Sequence, residues 1–265
     1  MDRQILWDCH MHSSFSADSD TPMEVMIHSA VETGLQGITF TEHLDPDYPA
    51  VTPDNLDFSL NIPAYKEKLA ELSDIYKDKI QVRFGIELGL QMHLGEYFDS
   101  LLSQTPFDFV IGSSHLVHGY DPYYPEFFEG RKEFLCYMEY FESILENISA
   151  YDGFDVYGHI DYVVRYGPNK NREYSYGRYK DILDEILKKL ISMGKGIELN
   201  TGGYHYGLGE PNPCTAVIRR YRELGGEIIT IGADAHTPDK IACAFDKAAS
   251  TGNLWFSLLY NLQRP

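Results

Sequence analysis

Six of the ten histidines, His10, His12, His43, His115, His159 and His236, stand at or just beyond the C-terminal ends of short apolar runs. Two carboxylates hold comparable places: Glu87 closes Val82-Arg83-Phe84-Gly85-Ile86, and Asp234 follows Ile231-Gly232-Ala233. Neutral imidazoles mixed with carboxylates suit zinc, iron or manganese, whereas calcium and magnesium prefer shells of oxygen alone. One His-x-His pair arises easily by chance. Within a strand, however, residues two apart share a face, so the His10 and His12 rings can reach one ion. Six imidazoles and two or more carboxylates overfill a single octahedral centre. Two or three divalent transition-metal ions are therefore expected, and with them hydrolytic chemistry.

The elements that must gather these residues are legible as alternating short β-rich runs and longer helical segments. Strands are expected at 5–9, 37–41, 80–86, 109–112, 154–157, 196–199 and 227–231, and helices at about 22–33, 63–78, 131–150, 177–193, 212–224 and 239–250. Thr21 before Pro22 reads as a helix start, and Gly34, Gly194 and Gly225 as helix ends. Alternation of this kind implies a parallel sheet with right-handed crossovers, and seven units favour a closed barrel over a doubly wound open sheet. The strand ends of such a barrel open onto one face, where residues distant in sequence converge. The run 254–260 is a candidate eighth strand. No repeat or low-complexity linker divides residues 1–265, so one domain is expected.

Composition narrows the function. The formal net charge of −18 repels polyanions and anionic membrane surfaces, which disfavours broad nucleic-acid binding. The run 254–260 is far shorter than the roughly 20 residues that span a bilayer. Met1-Asp2-Arg3-Gln4 leads directly into a strand-like run without the features of a secretory signal, and a cytoplasmic location is expected. The four cysteines, Cys9, Cys136, Cys214 and Cys243, form no CxxC pair and read as reduced thiols.

Six motifs occur in order: Asp8-Cys9-His10-Met11-His12-Ser13, Thr41-Glu42-His43, Gly85-Ile86-Glu87, Ser113-Ser114-His115, Gly158-His159-Ile160-Asp161 and Ala233-Asp234-Ala235-His236. Together they resemble the polymerase and histidinol phosphatase (PHP) family of metal-dependent phosphoesterases, over residues 8–236. The resemblance implies a distorted (β/α)7 TIM-like barrel and a trinuclear site. His10, His12, Glu87 and Asp234 would hold the first ion, and Glu87 would bridge to a second held by His115 and His159. His43, His236 and Asp18 would take the third, although many relatives carry a histidine where Asp18 stands. Within the family, the stretches 8–18 and 158–167 are most similar to the monofunctional L-histidinol-phosphate phosphatases. The implied reaction is hydrolysis of a small phosphate ester, L-histidinol phosphate, to L-histidinol and inorganic phosphate in histidine biosynthesis.

The metals would reverse the local charge of an acidic protein and lower the pKa of bound water to roughly 7, making hydroxide the expected nucleophile at phosphorus. Arg165, six residues beyond His159, is the expected phosphate clamp in a rim loop, because a guanidinium can grip two phosphate oxygens. Asp161 is a candidate general acid, with a structural carboxylate as its plainer reading. The aromatic segment 118–129 is a candidate lid, in which Glu126 or Glu129 would face the substrate's ammonium. Asn200 and Tyr204 are candidate substrate contacts, and Gly202 and Gly203 read as a tight turn. His28, His93 and His205 are expected to be structural or solvent-facing, and Arg219, Arg220 and Arg222 to form a solvated helix face. Two other functions remain open: a phosphodiesterase or nuclease on nucleotides or short oligonucleotides, and a catalytically silent metal-binding module. The sequence leaves the oligomeric state open.

Overall fold

A computed structural model describes residues 4–49 and 52–252. Seven strands, β1 (Trp7–Met11), β2 (Gly37–Leu44), β3 (Gln81–Gly89), β4 (Phe109–Ser113), β5 (Val156–Tyr157), β6 (Gly196–Asn200) and β7 (Ile229–Gly232), form one sheet in sequence order. Every neighbouring pair is parallel. The chain just after β7 returns to β1, where the Asp234 amide donates to the His10 carbonyl at 2.8 Å and the His12 amide donates to the Ala235 carbonyl at 2.9 Å. That seam makes a distorted seven-stranded barrel. A doubly wound sheet would reverse its strand order at a switch point, and none occurs here.

The strands are buried on both faces, as a parallel sheet wrapped in helices requires; all eight residues of β2 are buried. Their outer faces meet amphipathic helices. In α1 (Met23–Glu32), Met23, Met26, Ile27 and Ala30 make the buried stripe, and Gly34 at φ +82° closes the helix end. Helix α2 (Ile62–Tyr76) is capped by Asn61, whose side-chain oxygen accepts from the Ala64 amide at 3.2 Å. The sequence did not signal α3 (Gly95–Gln104), which begins at glycine and fully buries only Phe98. Helices α4 (Glu133–Ala150) and α5 (Lys180–Ser192) follow the expected pattern, and Gly194 after α5 has φ +70°.

Three local expectations change. Thr21 does not cap α1; its hydroxyl donates instead to the His236 carbonyl at 3.2 Å, tying the β1–α1 loop to the last motif. Gly202 and Gly203 begin a short helix, α6 (Gly202–His205), rather than a tight turn. Their need is for space: a Cβ on Gly202 would lie 2.7 Å from Asn200 Oδ1, and one on Gly203 would strike the Glu210 carbonyl. Helix α7 (Thr215–Glu223) starts later than the spacing suggests, because Asn212 is extended and exchanges both backbone hydrogen bonds with Asn200 at 2.8 Å. Helix α8 (Phe245–Gly252) ends the described chain, and the candidate strand at 254–260 lies outside the described residues.

Candidate metal centre and active site

Every expected ligand sits at the C-terminal mouth of the barrel. His10 is the last residue but one of β1 and His12 follows the strand, His43 and Glu87 lie near the ends of β2 and β3, and His115 and His159 stand two residues past β4 and β5. Asp234 and His236 follow β7, while Asp18 reaches in from the β1–α1 loop. Asp234 takes φ +57°, a conformation uncommon for a residue with a Cβ, at the seam where its amide binds the His10 carbonyl.

Glu87 organises the cluster. Its Oε1 lies 2.9 Å from His159 Nε2 and 3.3 Å from His115 Nε2, while Oε2 lies 3.2 Å from His10 Nε2 and 3.5 Å from His12 Nε2. Asp234 Oδ1 stands 3.5 Å from both His10 Nε2 and His12 Nε2. On the third side, Asp18 Oδ2 is 3.1 Å from His236 Nε2 and 3.6 Å from His43 Nε2. The His43 ring links the groups, with Nδ1 3.0 Å from Glu87 Oε2. Four overlapping sets of three such residues bring ligand atoms within 4.8 Å of one another.

The tautomers test whether these residues suit a cation. His10 Nδ1 lies 2.7 Å from Glu198 Oε1, so in the neutral form that binds a metal the ring donates there and keeps the Nε2 lone pair for a cation. The Ser16 hydroxyl donates to Glu42 at 2.6 Å, so Ser16 Oγ can only accept from His12 Nδ1 at 3.0 Å. Neutral His12 therefore also has a bare Nε2. Those two nitrogens face each other at 3.1 Å. Two nitrogens each about 2.0–2.1 Å from a shared zinc at a tetrahedral angle stand about 3.4 Å apart, close to this spacing. His115 follows the same pattern, with Nδ1 directed to Asp45 Oδ1 at 2.8 Å and Nε2 toward Glu87. The donor set and its outer hydrogen bonds fit divalent transition-metal ions.

Without a cation, protons take its place. Burial alone would keep His10 neutral, but Glu198, Glu87 and Asp234 hold its pKa well above the ordinary imidazole value. Burial would raise Glu87, yet His10, His43 and His115 hold it well below the usual carboxylate range. Asp234 is depressed against burial by His10 and Arg165, and Asp18 by His236 and His43. Burial and the neighbouring His43 and His236 push His12 down. The protein alone thus balances carboxylates with protonated imidazoles, a role that divalent cations would take over.

Arg165 is at this site, but not in a loose rim loop. It ends a 3-10 turn (Tyr162–Arg165), is 3% exposed, and lies over the Tyr206 ring at 4.7 Å. Its Nη1 donates to Asp234 Oδ2 at 2.9 Å, Nη2 to Asn200 Oδ1 at 2.9 Å and Nε to Asn212 Oδ1 at 2.8 Å. Three of five N–H donors are engaged, and two remain. Asp161 is not brought to the metal cluster's cavity: Oδ1 accepts from Asn212 at 2.6 Å and Oδ2 from the Cys214 amide at 2.8 Å. Burial pushes this carboxyl up to about 6, but its oxygens hold the β6–α7 connection, which corrects the expectation of a general acid.

A cavity of about 340 Å³ opens over the cluster and includes His43, His115, His159, Asp234, His236 and Arg165 in its lining. Tyr48, Phe58, Asp121, His205 and Tyr206 also line it, whereas Tyr204, Glu126 and Glu129 do not. Sequence reasoning set His205 aside and missed Asp45 and Glu198. Both acids carried a faint signal: Asp45 is two residues past His43, and Glu198 shares a strand face with Asn200. His28 and His93 are exposed, as expected. Arg220 instead pairs with Asp184 and Glu223.

Comparison with known proteins places this architecture among relatives. The family model described as "PHP domain" matches residues 8–202. A histidinol-phosphatase of Lactococcus lactis is 33% identical over 242 residues, covering 91% of this chain and 88% of the relative. A probable histidinol-phosphatase of Clostridium acetobutylicum is 31% identical over 247 residues, covering 92% and 91% of the two chains. The crystal structure of the L. lactis histidinol phosphate phosphatase, complexed with zinc, L-histidinol and phosphate, superposes with a TM-score of 0.85 at 32% identity, over 92% of this chain and 91% of that one.

Proposed function

The chain belongs to the PHP family, and from that membership we propose that it is a metal-dependent phosphomonoesterase that hydrolyses L-histidinol phosphate to L-histidinol and inorganic phosphate in histidine biosynthesis. The observation that carries the reading is Glu87, whose two oxygens face different histidine pairs beneath a cavity sized for a small molecule. The relative crystallised with zinc, L-histidinol and phosphate points to the same substrate.

His10, His12, Glu87 and Asp234 would hold one ion, Glu87, His115 and His159 a second, and His43, His236 and Asp18 a third, of zinc, iron or manganese. Bound there, such ions supply Lewis acidity toward phosphoryl oxygens and a lowered pKa for water. The chain's own residues do the rest. Glu198 and Asp45 fix the tautomers of His10 and His115. Arg165 anchors Asp234 and directs its two remaining N–H donors to the phosphate. At phosphorus the ester P–O bond breaks as the oxygen of water bonds in its place, and one proton of that water ends on the departing alkoxide oxygen.

Among the described residues no helix is long and apolar enough to cross a membrane. The four cysteines are free, in keeping with a cytoplasmic enzyme. The strong negative charge disfavours a nucleic-acid substrate. Phosphate release by the metallated protein, measured on L-histidinol phosphate, nucleotides and short oligonucleotides, tests the reading. Preference for L-histidinol phosphate is expected. Preferential cleavage of nucleotides or oligonucleotides would make the protein a phosphodiesterase or nuclease, and inactivity of a fully metallated sample would make it a silent metal-binding module.

A further inference from the structure

We propose that Asp121 selects the substrate's ammonium group, a reading that rests on the phosphatase function above. In the segment after His115, Asp121 faces the cavity, whereas Glu126 and Glu129 are solvent-exposed. Asp121 is fixed from two sides: Oδ2 accepts from the Tyr48 hydroxyl and Oδ1 from the Tyr123 amide, each at 2.7 Å. Tyr48 belongs to the β2–α2 connection and Asp121 to the β4–α4 connection, so this bond joins two loops across the barrel mouth.

Neither donor carries a positive charge, and among the described residues no lysine or arginine is paired with Asp121. A half-buried carboxylate with lone pairs to spare is a receptor for a cation. Burial pushes its pKa up, the direction expected of an acid whose counter-charge is missing. A second carboxylate strengthens the field. Asp45 lines the same cavity, with Oδ1 directed to His115 and Oδ2 without a hydrogen-bond partner.

The ligand must match both signs in this cavity. An amino-alcohol phosphate carries a phosphate dianion and, three bonds from its ester oxygen, an ammonium. The metal cluster and Arg165 answer the first, and Asp121 answers the second. Tyr48 and Phe58, with ring centroids 4.6 Å apart, give the ammonium an aromatic wall.

The test compares wild type, Asp121→Asn and Tyr48→Phe, all metallated, on L-histidinol phosphate, its deamino analogue and 4-nitrophenyl phosphate, with metal content measured in parallel. For Asp121→Asn, kcat/KM on L-histidinol phosphate is expected to fall about 10- to 100-fold, mainly through KM. The other two esters should change by less than about twofold and metal content should hold, because their binding uses no ammonium contact. Tyr48→Phe should show the same selectivity at smaller size. Equal losses on all three esters, lost metal, or no loss on L-histidinol phosphate would overturn the assignment. Failure of wild type to hydrolyse L-histidinol phosphate would overturn the phosphatase reading along with it, whereas intact wild-type turnover with unselective losses would overturn the Asp121 role alone.

Discussion

Glu198 Oε1 lies 2.7 Å from His10 Nδ1, while Glu198 Oε2 accepts the His159 backbone amide at 3.1 Å. One buried carboxylate from β6 thus orients a ring on β1 and the backbone that carries another ring after β5. Glu198→Gln keeps the shape and removes the charge that makes His10 a strong donor to a metal. Metal affinity is expected to fall about 10- to 100-fold, as titration with a competing chelator would show. Unchanged affinity would remove Glu198 from the metal site's support.

Arg165→Ala strips three hydrogen bonds from Asp234, Asn200 and Asn212 at once. The expected outcome is lower turnover together with partial loss of bound metal, because Asp234 is released as well. Arg165→Lys should keep the charge and recover only part of the activity, since an ammonium cannot reproduce the fork. Elemental analysis beside steady-state kinetics separates the two roles: full metal content with impaired turnover would assign Arg165 to phosphate alone.

Removing metal should destabilise as well as inactivate. Each ion present at a hundred times its Kd adds about 2.7 kcal/mol to the folded state. For a chain of this size that corresponds to a rise in Tm of roughly 5–10 °C per ion. Thermal melts before and after chelation, and after return of zinc, manganese or iron, measure it. Identical melting curves would contradict a cluster built from residues of six different strands.

Gly232 ends β7 against β1, where an added Cβ would collide with the Cβ of His10 and stand 2.6 Å from Glu198 Oε1. Gly232→Ala is expected to cost about 1–3 kcal/mol by overpacking and to displace His10. Urea unfolding and metal content should both report the change.

Away from the site, Asp184 accepts two hydrogen bonds from Arg220, which holds its pKa near 2 against the opposing effect of burial. The folded value lies below the unfolded value of about 3.9, so the pair stabilises above about pH 4 and loses that contribution as pH falls through about 2. The deficit of Asp184→Asn relative to wild type should therefore be full near neutrality and shrink across that acid window. A deficit constant with pH in urea unfolding would show that charge plays no part.

The seven strands and the candidate ligands are legible in the sequence because both follow from local pattern: apolar runs define the strands, and a histidine or acid marks the ends of six of them. Helix α3 was hidden because only one of its ten residues is fully buried. Asp121 and His205 were hidden for another reason. They become neighbours of the metal cluster only when loops fold over the mouth, and no spacing rule records that return. Arg165 was placed correctly near the site, but its carboxylate and amide partners come from β6 and the β6–α7 and β7–α8 connections, beyond the reach of a local reading.

The seam between β1 and the chain after β7 gives the protein a temporal property. The residues proposed for the first ion come from both sides of that join, so a nascent chain carries His10 and His12 for more than two hundred residues before Asp234 is made. Synthesis must pass Asp234 before the proposed centre can assemble, and a chain that stops short of it is unable to capture metal in that geometry.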